Sequence, residues 1–146
     1  MKIVAFLQNP WFKPGTPRRL IARYRDDPVF RRRVLGAART GLLLRRMLGE
    51  ALFESICWEN ANPRHGTDRL AAFPAEVRHM RRVIHRHAPE VVVLFGRQAQ
   101  DGFDRIRTPG SFVVLRAPHP QARGSYKRHL AEVSAALREI VSKEAL

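Results

Sequence analysis

The sequence predicts a three-layer α/β/α fold around a four-stranded, mainly parallel sheet, and three observations predict it. Four short runs read as apolar strands, helical patterns separate them, and three of the four end in polar residues of unusual type. Uninterrupted apolar strands that alternate with helices belong to parallel sheets covered on both faces. In such sheets ligands bind outside the carboxyl ends of the strands.

The elements follow in order. Lys2-Ile3-Val4-Ala5-Phe6-Leu7 reads as the first buried strand, stopped by a loop through Pro10, Pro14, Gly15 and Pro17. Residues 18–37 are basic and helical in pieces, broken at Pro28. Thr40 is placed to cap a helix with Leu43, Leu44, Met47, Leu48 and Ala51 on one face. Residues 53–58 read as the second strand, delivering Glu59-Asn60-Ala61-Asn62-Pro63 from its C-terminal end. Pro74 suits the first turn of a helix that turns Val77, Met80, Ile84 and Ala88 inward. Residues 91–95 are the clearest strand, ended by Gly96, and a short helix over 98–103 follows. Residues 112–115 form the fourth strand, leading into Ala117-Pro118-His119-Pro120. A last helix over 125–143 aligns Leu130, Val133, Leu137, Ile140 and Val141. The 146 residues suit one domain, 1–146, without internal repeat or low-complexity linker.

Composition narrows the partners. Lys and Arg number 27 against 13 Asp and Glu, a formal charge of +14, and 45% of the residues are hydrophobic. That apolar content builds a core despite the charge. No apolar run approaches the roughly 18 residues that span a bilayer. The opening run is too short for a signal peptide, and no segment joins a basic face to a broad apolar one. The expected location is therefore the cytoplasm, in association with the nucleoid, with no membrane partner. Cys57 is the single cysteine. It excludes an internal disulfide framework or a cysteine-built metal cluster, and it reads as a small core residue. An Arg-rich composition can follow from a GC-rich genome, yet a field of this strength draws polyanions, nucleic acid first.

Three strand ends, Gln8-Asn9-Pro10-Trp11, Asn60-Ala61-Asn62-Pro63 and His119-Pro120, should converge on one cleft of amides, an aromatic and a histidine. No Walker phosphate loop, Gly-x-Gly-x-x-Gly fingerprint or Gly-x-Ser-x-Gly elbow occurs in the sequence. His85 and His87, two apart on a helix, point to different faces, so metal-ligand spacing is absent and no cofactor is expected. Amides read the donor and acceptor edge of a nucleobase, and aromatics stack on its face. A histidine stabilises charge developing on a ring oxygen. Together they suit a base taken out of a duplex.

These segments resemble the motifs of the uracil-DNA glycosylase superfamily. Gln8-Asn9-Pro10-Trp11 looks like its first motif, in which Gln-Asp-Pro-Tyr or Ile-Asn-Pro-Gly follows the first strand. Trp58-Glu59-Asn60-Ala61 resembles the segment in which an Asn reads the uracil edge, and Ala117-Pro118-His119-Pro120-Gln121-Ala122-Arg123 the closing His-Pro-Ser loop, with Gln121 in place of Ser. Residues 40–48 and 91–99 are similar to the intervening helix and strand segments, so the resemblance spans nearly the whole chain.

The resemblance implies a monomeric enzyme that needs no metal, flips a uracil-like or modified base out of DNA and hydrolyses its N-glycosidic bond. Asn9 would position the attacking water, although an amide cannot accept its proton as a carboxylate does. His119 would donate to the oxyanion of the leaving base. Gln8 would touch the base, Trp11 would wall the pocket and Asn60 would pair with the carbonyl and imide edge. Arg123 falls near residues that enter the duplex, and Arg31-Arg32-Arg33 would lie along phosphates. The stretch matching the family's base-stacking Phe reads Leu35-Gly36-Ala37, which leaves Phe12, Tyr24 or Phe30 for that place. The four cysteines of the iron–sulfur branch are missing.

Blander readings stand beside these. Asn9 before Pro10 initiates turns, Asn60 and Asn62 suit a strand-end loop, and Arg31-Arg32-Arg33 suits a solvated face. The histidines other than His119 read as solvated, and Trp58 as core. The main functional alternative is a DNA-binding or modified-base-binding protein that keeps the fold with little or no chemistry. Another is an enzyme of free nucleosides. If DNA is the partner, the basic residues that matter should rim the carboxyl-end face, around Arg123 and residues 18–33.

Overall fold

The computed structural model describes residues 1–144 except 11, 67–72, 108–109 and 121–125, with the backbone alone at 126. Four strands, β1 (Ile3–Leu7), β2 (Ile56–Asn60), β3 (Val91–Phe95) and β4 (Val113–Ala117), form one parallel sheet in the order β2-β1-β3-β4. Around it lie α1 (Arg18–Asp26), α2 (Pro28–Ala37), α3 (Arg39–Leu48), α4 (Glu50–Ser55), α5 (Val77–His87), α6 (Arg97–Asp104) and α7 (Tyr126–Glu144). The three-layer α/β/α architecture is the one the sequence predicts.

Strand residues alternate between the two faces of the sheet. Ile3, Ala5 and Leu7 join Trp58, Val91, Val93 and Phe95 in a core closed by Leu44 and Leu48 of α3 and Leu130 and Leu137 of α7. Val4, Phe6, Val92 and Leu94 face the opposite layer, closed by Met80, Val83 and Ile84 of α5 and Ala99 and Phe103 of α6. Among the described residues no helix is long and apolar enough to cross a membrane.

Local boundaries differ from the sequence reading in four places. Gly49, with φ +86°, ends α3 and starts α4, so residues 53–55 are helical and β2 begins only at Ile56. Phe53 is buried from that helix instead, its ring 5.1 Å from Trp58. Thr40 lies inside α3, for which Ala38 is the cap. Pro74 precedes α5, and Ala88 ends that helix at φ 45° with an exposed side chain, Val83 taking the inward place. β4 is an edge strand and half exposed, with Val113 47% accessible. The break at Pro28 stands as read: Asp27 Oδ1 accepts from the amides of Val29 and Phe30, and Pro28 opens α2, a position where its missing N–H costs nothing.

α2 and α3 cross so closely that only a glycine fits between them. A Cβ on Gly41 would stand 1.7 Å from the Leu35 carbonyl oxygen and 2.9 Å from Gly36 Cα. Backbone atoms cannot swing aside as a side-chain tip can, so Gly41→Ala is expected to cost about 3 kcal/mol, the upper end of overpacking penalties. A urea unfolding midpoint checks this. Leu42→Ala next to it, at a side chain 51% exposed, should stay within about 0.5 kcal/mol of the parent.

Candidate functional site

The strand register assembles the site. Leu7 pairs with Asn60, and the ladder continues past both strands: the Ala61 amide donates to the Leu7 carbonyl at 2.7 Å and the Asn62 amide to the Gln8 carbonyl at 3.0 Å. Gln8 and Asn60 are thereby held side by side at the carboxyl edge. The order β2-β1-β3-β4 reverses direction between β1 and β3, which is where ligand crevices open in sheets of this kind.

His119 reaches the same place from β4. The Ala117 carbonyl accepts from the Gly96 amide at 2.8 Å and from Gln100 Nε2 at 2.9 Å, so the end of β4 is tied to the start of α6. Gly96, at φ +89°, lets β3 finish beneath His119; a Cβ there would lie 3.5 Å from His119 Cβ.

A cleft of about 510 Å³ results, within the range of small-ligand sites. Its walls include Gln8, Asn9, Asn60 and His119. Phe12 and Tyr24 form an aromatic wall, rings 5.3 Å apart and edge to face. Phe30 does not line the cleft; the Arg23 guanidinium lies over it at 4.2 Å. Val34, Leu35, Ala38, Arg39 and Thr40 complete the lining from the α2–α3 corner. Among the described lining residues there is no carboxylate. Trp11 and Arg123 lie outside the described residues.

Asn9 is held by its surroundings. Asn9 Oδ1 accepts from the Phe73 amide at 3.2 Å, and its Nδ2 donates to the Pro10 carbonyl at 3.2 Å. Asn60 is buried, with its side chain beside the Tyr24 hydroxyl. Burial pushes the Tyr24 phenol up, with the neighbouring Asn60 amide and Arg31 opposing. Burial also holds the His119 imidazole below its ordinary value, so the ring is neutral at neutral pH. Asn62 is structural: Nδ2 donates to the Pro74 carbonyl at 2.8 Å and Oδ1 accepts from the Arg64 amide at 2.9 Å.

The basic run divides three ways, and here the expectation of a phosphate-facing strip is corrected. Arg31 is only 6% exposed. Its guanidinium donates to Glu59 Oε1 at 3.0 Å, to the Trp58 carbonyl at 2.8 Å and to the carbonyls of Tyr24 and Arg25. A group so enclosed cannot reach a phosphate. Arg32 is half-buried and donates to the Glu54 carbonyl, whereas Arg33 is exposed. Nor is the excess charge confined to the cleft rim, since Arg78, Arg81, Arg82 and Arg86 are exposed on α5, in the layer on the other side of the sheet.

Two histidines read as solvated are not. His79 is half-buried, in contact with the Asn60 backbone, and its Nε2 is buried without a hydrogen-bond partner among the described residues. His87 packs near Cys57 and Glu59, and these three are the described residues whose side chains could share a metal ion. The sequence also passed over Arg39, which stands at the cleft mouth among so many other arginines that nothing singled it out.

The buried imidazoles set a pH dependence. Burial lowers both His79 and His119, so the unfolded chain binds more protons than the folded one below the ordinary histidine value of about 6.5. Their contribution is complete above that pH and is lost as pH falls through the folded values. Burial raises the Glu59 carboxyl, which works in the opposite sense. The thermal midpoint of His119→Ala relative to the parent should therefore improve on going from pH 7.5 to 5.5; an unchanged difference would mean that the ring titrates normally.

No protein-family model matches the chain, and no curated protein matches it in sequence.

Proposed function

We propose that the protein is a DNA glycosylase of the kind its motifs resemble, taking a flipped uracil-like or modified base into the strand-end cleft and hydrolysing its N-glycosidic bond. One observation carries the reading: Gln8, Asn9, Asn60 and His119, from three segments far apart in sequence, line a single cleft outside the carboxyl ends of the sheet. Asn60 reads the base edge. The wall of Phe12 and Tyr24 supplies the stacking surface for which Leu35-Gly36-Ala37 offers no ring. Neutral His119 donates an N–H to the oxygen on which charge collects as the base departs. Asn9 orients the water that captures the cationic sugar, and with no carboxylate among the described residues of the cleft wall the chemistry these residues supply is chiefly electrostatic. Arg39 at the mouth suits a flanking phosphate.

The test is incubation with duplexes containing uracil, a G·T mismatch or hypoxanthine, followed by alkali to cut abasic sites. Cleavage of one of them is expected; folded protein that cleaves none sinks the assignment for these lesions. One observation favours the alternative of a binding protein with weak chemistry: Asn9 Oδ1, the atom best suited to orient water, already accepts from Phe73. That reading predicts tight, salt-sensitive DNA binding without abasic product at stoichiometric protein.

A further inference from the structure

On the α5 side of the sheet, Cys57 and Glu59 stand two residues apart on β2 and so share a face. His87, in the last turn of α5, comes down on both. Its Nε2 lies 3.6 Å from Cys57 Sγ and 3.8 Å from Glu59 Oε1, and the three ligand atoms fall within 4.8 Å of one another. Glu59 is buried, while Cys57 and His87 are half-buried, so the group sits at a solvent-reachable seam.

Two chemistries use these residue types, and the geometry separates them. A nucleophilic Cys–His–Glu triad needs the two imidazole nitrogens to face opposite ways, one to the thiol and one to the carboxylate. Here one nitrogen faces both partners. That convergence is what a shared metal ion requires. Tetrahedral zinc, with bonds of about 2.3 Å to sulfur and about 2.0–2.2 Å to nitrogen and oxygen, sets ligand atoms about 3.4–3.6 Å apart along the edges. The observed 3.6 and 3.8 Å separations from His87 need only a few tenths of an ångström of closure, and the Cys57–Glu59 edge, within 4.8 Å, needs at most about 1.2 Å, within reach of side-chain rotation.

We propose that Cys57, Glu59 and His87 form a binding site for a borderline divalent cation, Zn(II) in the first place, with water as the fourth ligand. On binding, the Cys57 thiol proton leaves to solvent and the sulfur enters as thiolate; no electron is transferred. Arg31, fixed by three main-chain carbonyls, stays on Glu59 and orients the carboxylate in the way outer partners orient metal ligands. Thiolate and carboxylate together cancel the charge of the ion, which offsets the unfavourable field of Arg31, Arg86 and Lys2. The ion would clip β2 to α5 next to Asn60. This inference does not depend on the glycosylase reading.

The full chain, freed of metal and titrated with Co(II), reports on the site directly, since a cobalt–thiolate bond gives a charge-transfer absorption in the near ultraviolet. One equivalent of that absorption is expected, displaced by Zn(II), abolished in Cys57→Ser and weakened at least about tenfold in affinity in His87→Gln. At a hundredfold excess over Kd, Zn(II) should raise the thermal midpoint of the parent by about 5–10 °C and leave that of Cys57→Ser unmoved. No thiolate absorption in folded parent protein overturns the proposal. So does an equal zinc-induced shift in Cys57→Ser, which would assign binding to exposed histidines such as His85 and His129.

Discussion

Arg31→Met is expected to destabilise the protein by about 3–5 kcal/mol, the usual result of removing one partner from a buried ion pair. Both side chains of the pair are 7% exposed, so the abandoned Glu59 carboxylate would lose its counter-charge without gaining water. The carbonyls of Trp58, Tyr24 and Arg25 lose their donor at the same time. For a chain of this size the thermal midpoint should drop by about 6–20 °C. Adding Glu59→Gln to Arg31→Met should recover part of the loss, because the unpaired charge goes with it. Arg33→Met, on an exposed side chain of the same run, should stay within about 0.5 kcal/mol. If Arg31 served DNA instead, its removal would flatten the salt dependence of binding and leave unfolding untouched.

If the proposed glycosylase reading holds, His119→Ala should slow base release at least about a hundredfold under single-turnover conditions, the scale of one well-placed donor to a developing oxyanion. The side chain stands at the end of a loop anchored through Ala117, so truncation leaves that anchor in place. Asn9→Ala should cost a similar factor. Because Asn9 Oδ1 also accepts from Phe73, circular dichroism and the thermal midpoint must accompany that rate. Asn9→Asp separates the two roles. A carboxylate accepts from the Phe73 amide at least as well as the amide does, and it adds a base for the attacking water, so Asn9→Asp should match or exceed the parent. Full activity in both alanine variants would show that the roles are misassigned. A slow Asn9→Asp would show that Asn9 needs its own N–H donor.

The sheet was legible because parallel strands buried on both faces leave runs such as Val91-Val92-Val93-Leu94-Phe95 that no helix pattern imitates. Phe53 was misread for the same reason: an apolar residue buried from a short helix looks, in one dimension, like the start of the strand that follows. The strand-end residues of the cleft were legible too, since register alone carries Gln8 and Asn60 to neighbouring places. Arg31 was not. Its partners, Tyr24, Trp58 and Glu59, become neighbours only when α2 wraps the open edge of β2, and nothing local distinguishes it from Arg33 two positions on. The cluster of Cys57, Glu59 and His87 escaped likewise, because its members come from a strand and a helix thirty residues apart.

The place of β1 in the sheet has a kinetic side. It is a central strand, pairing Ile3 with Ile56 on one flank and with Val91 on the other. Ribosomes add about 5–20 residues per second, so Ile-Val-Ala-Phe-Leu waits on the order of 5–20 s before its second neighbour is made. During that time a fully apolar segment has at least one flank open, and such segments attract chaperones or one another. Nascent chains halted between β2 and β3 should therefore be the species most prone to aggregate, and those released after β3 should be markedly less so.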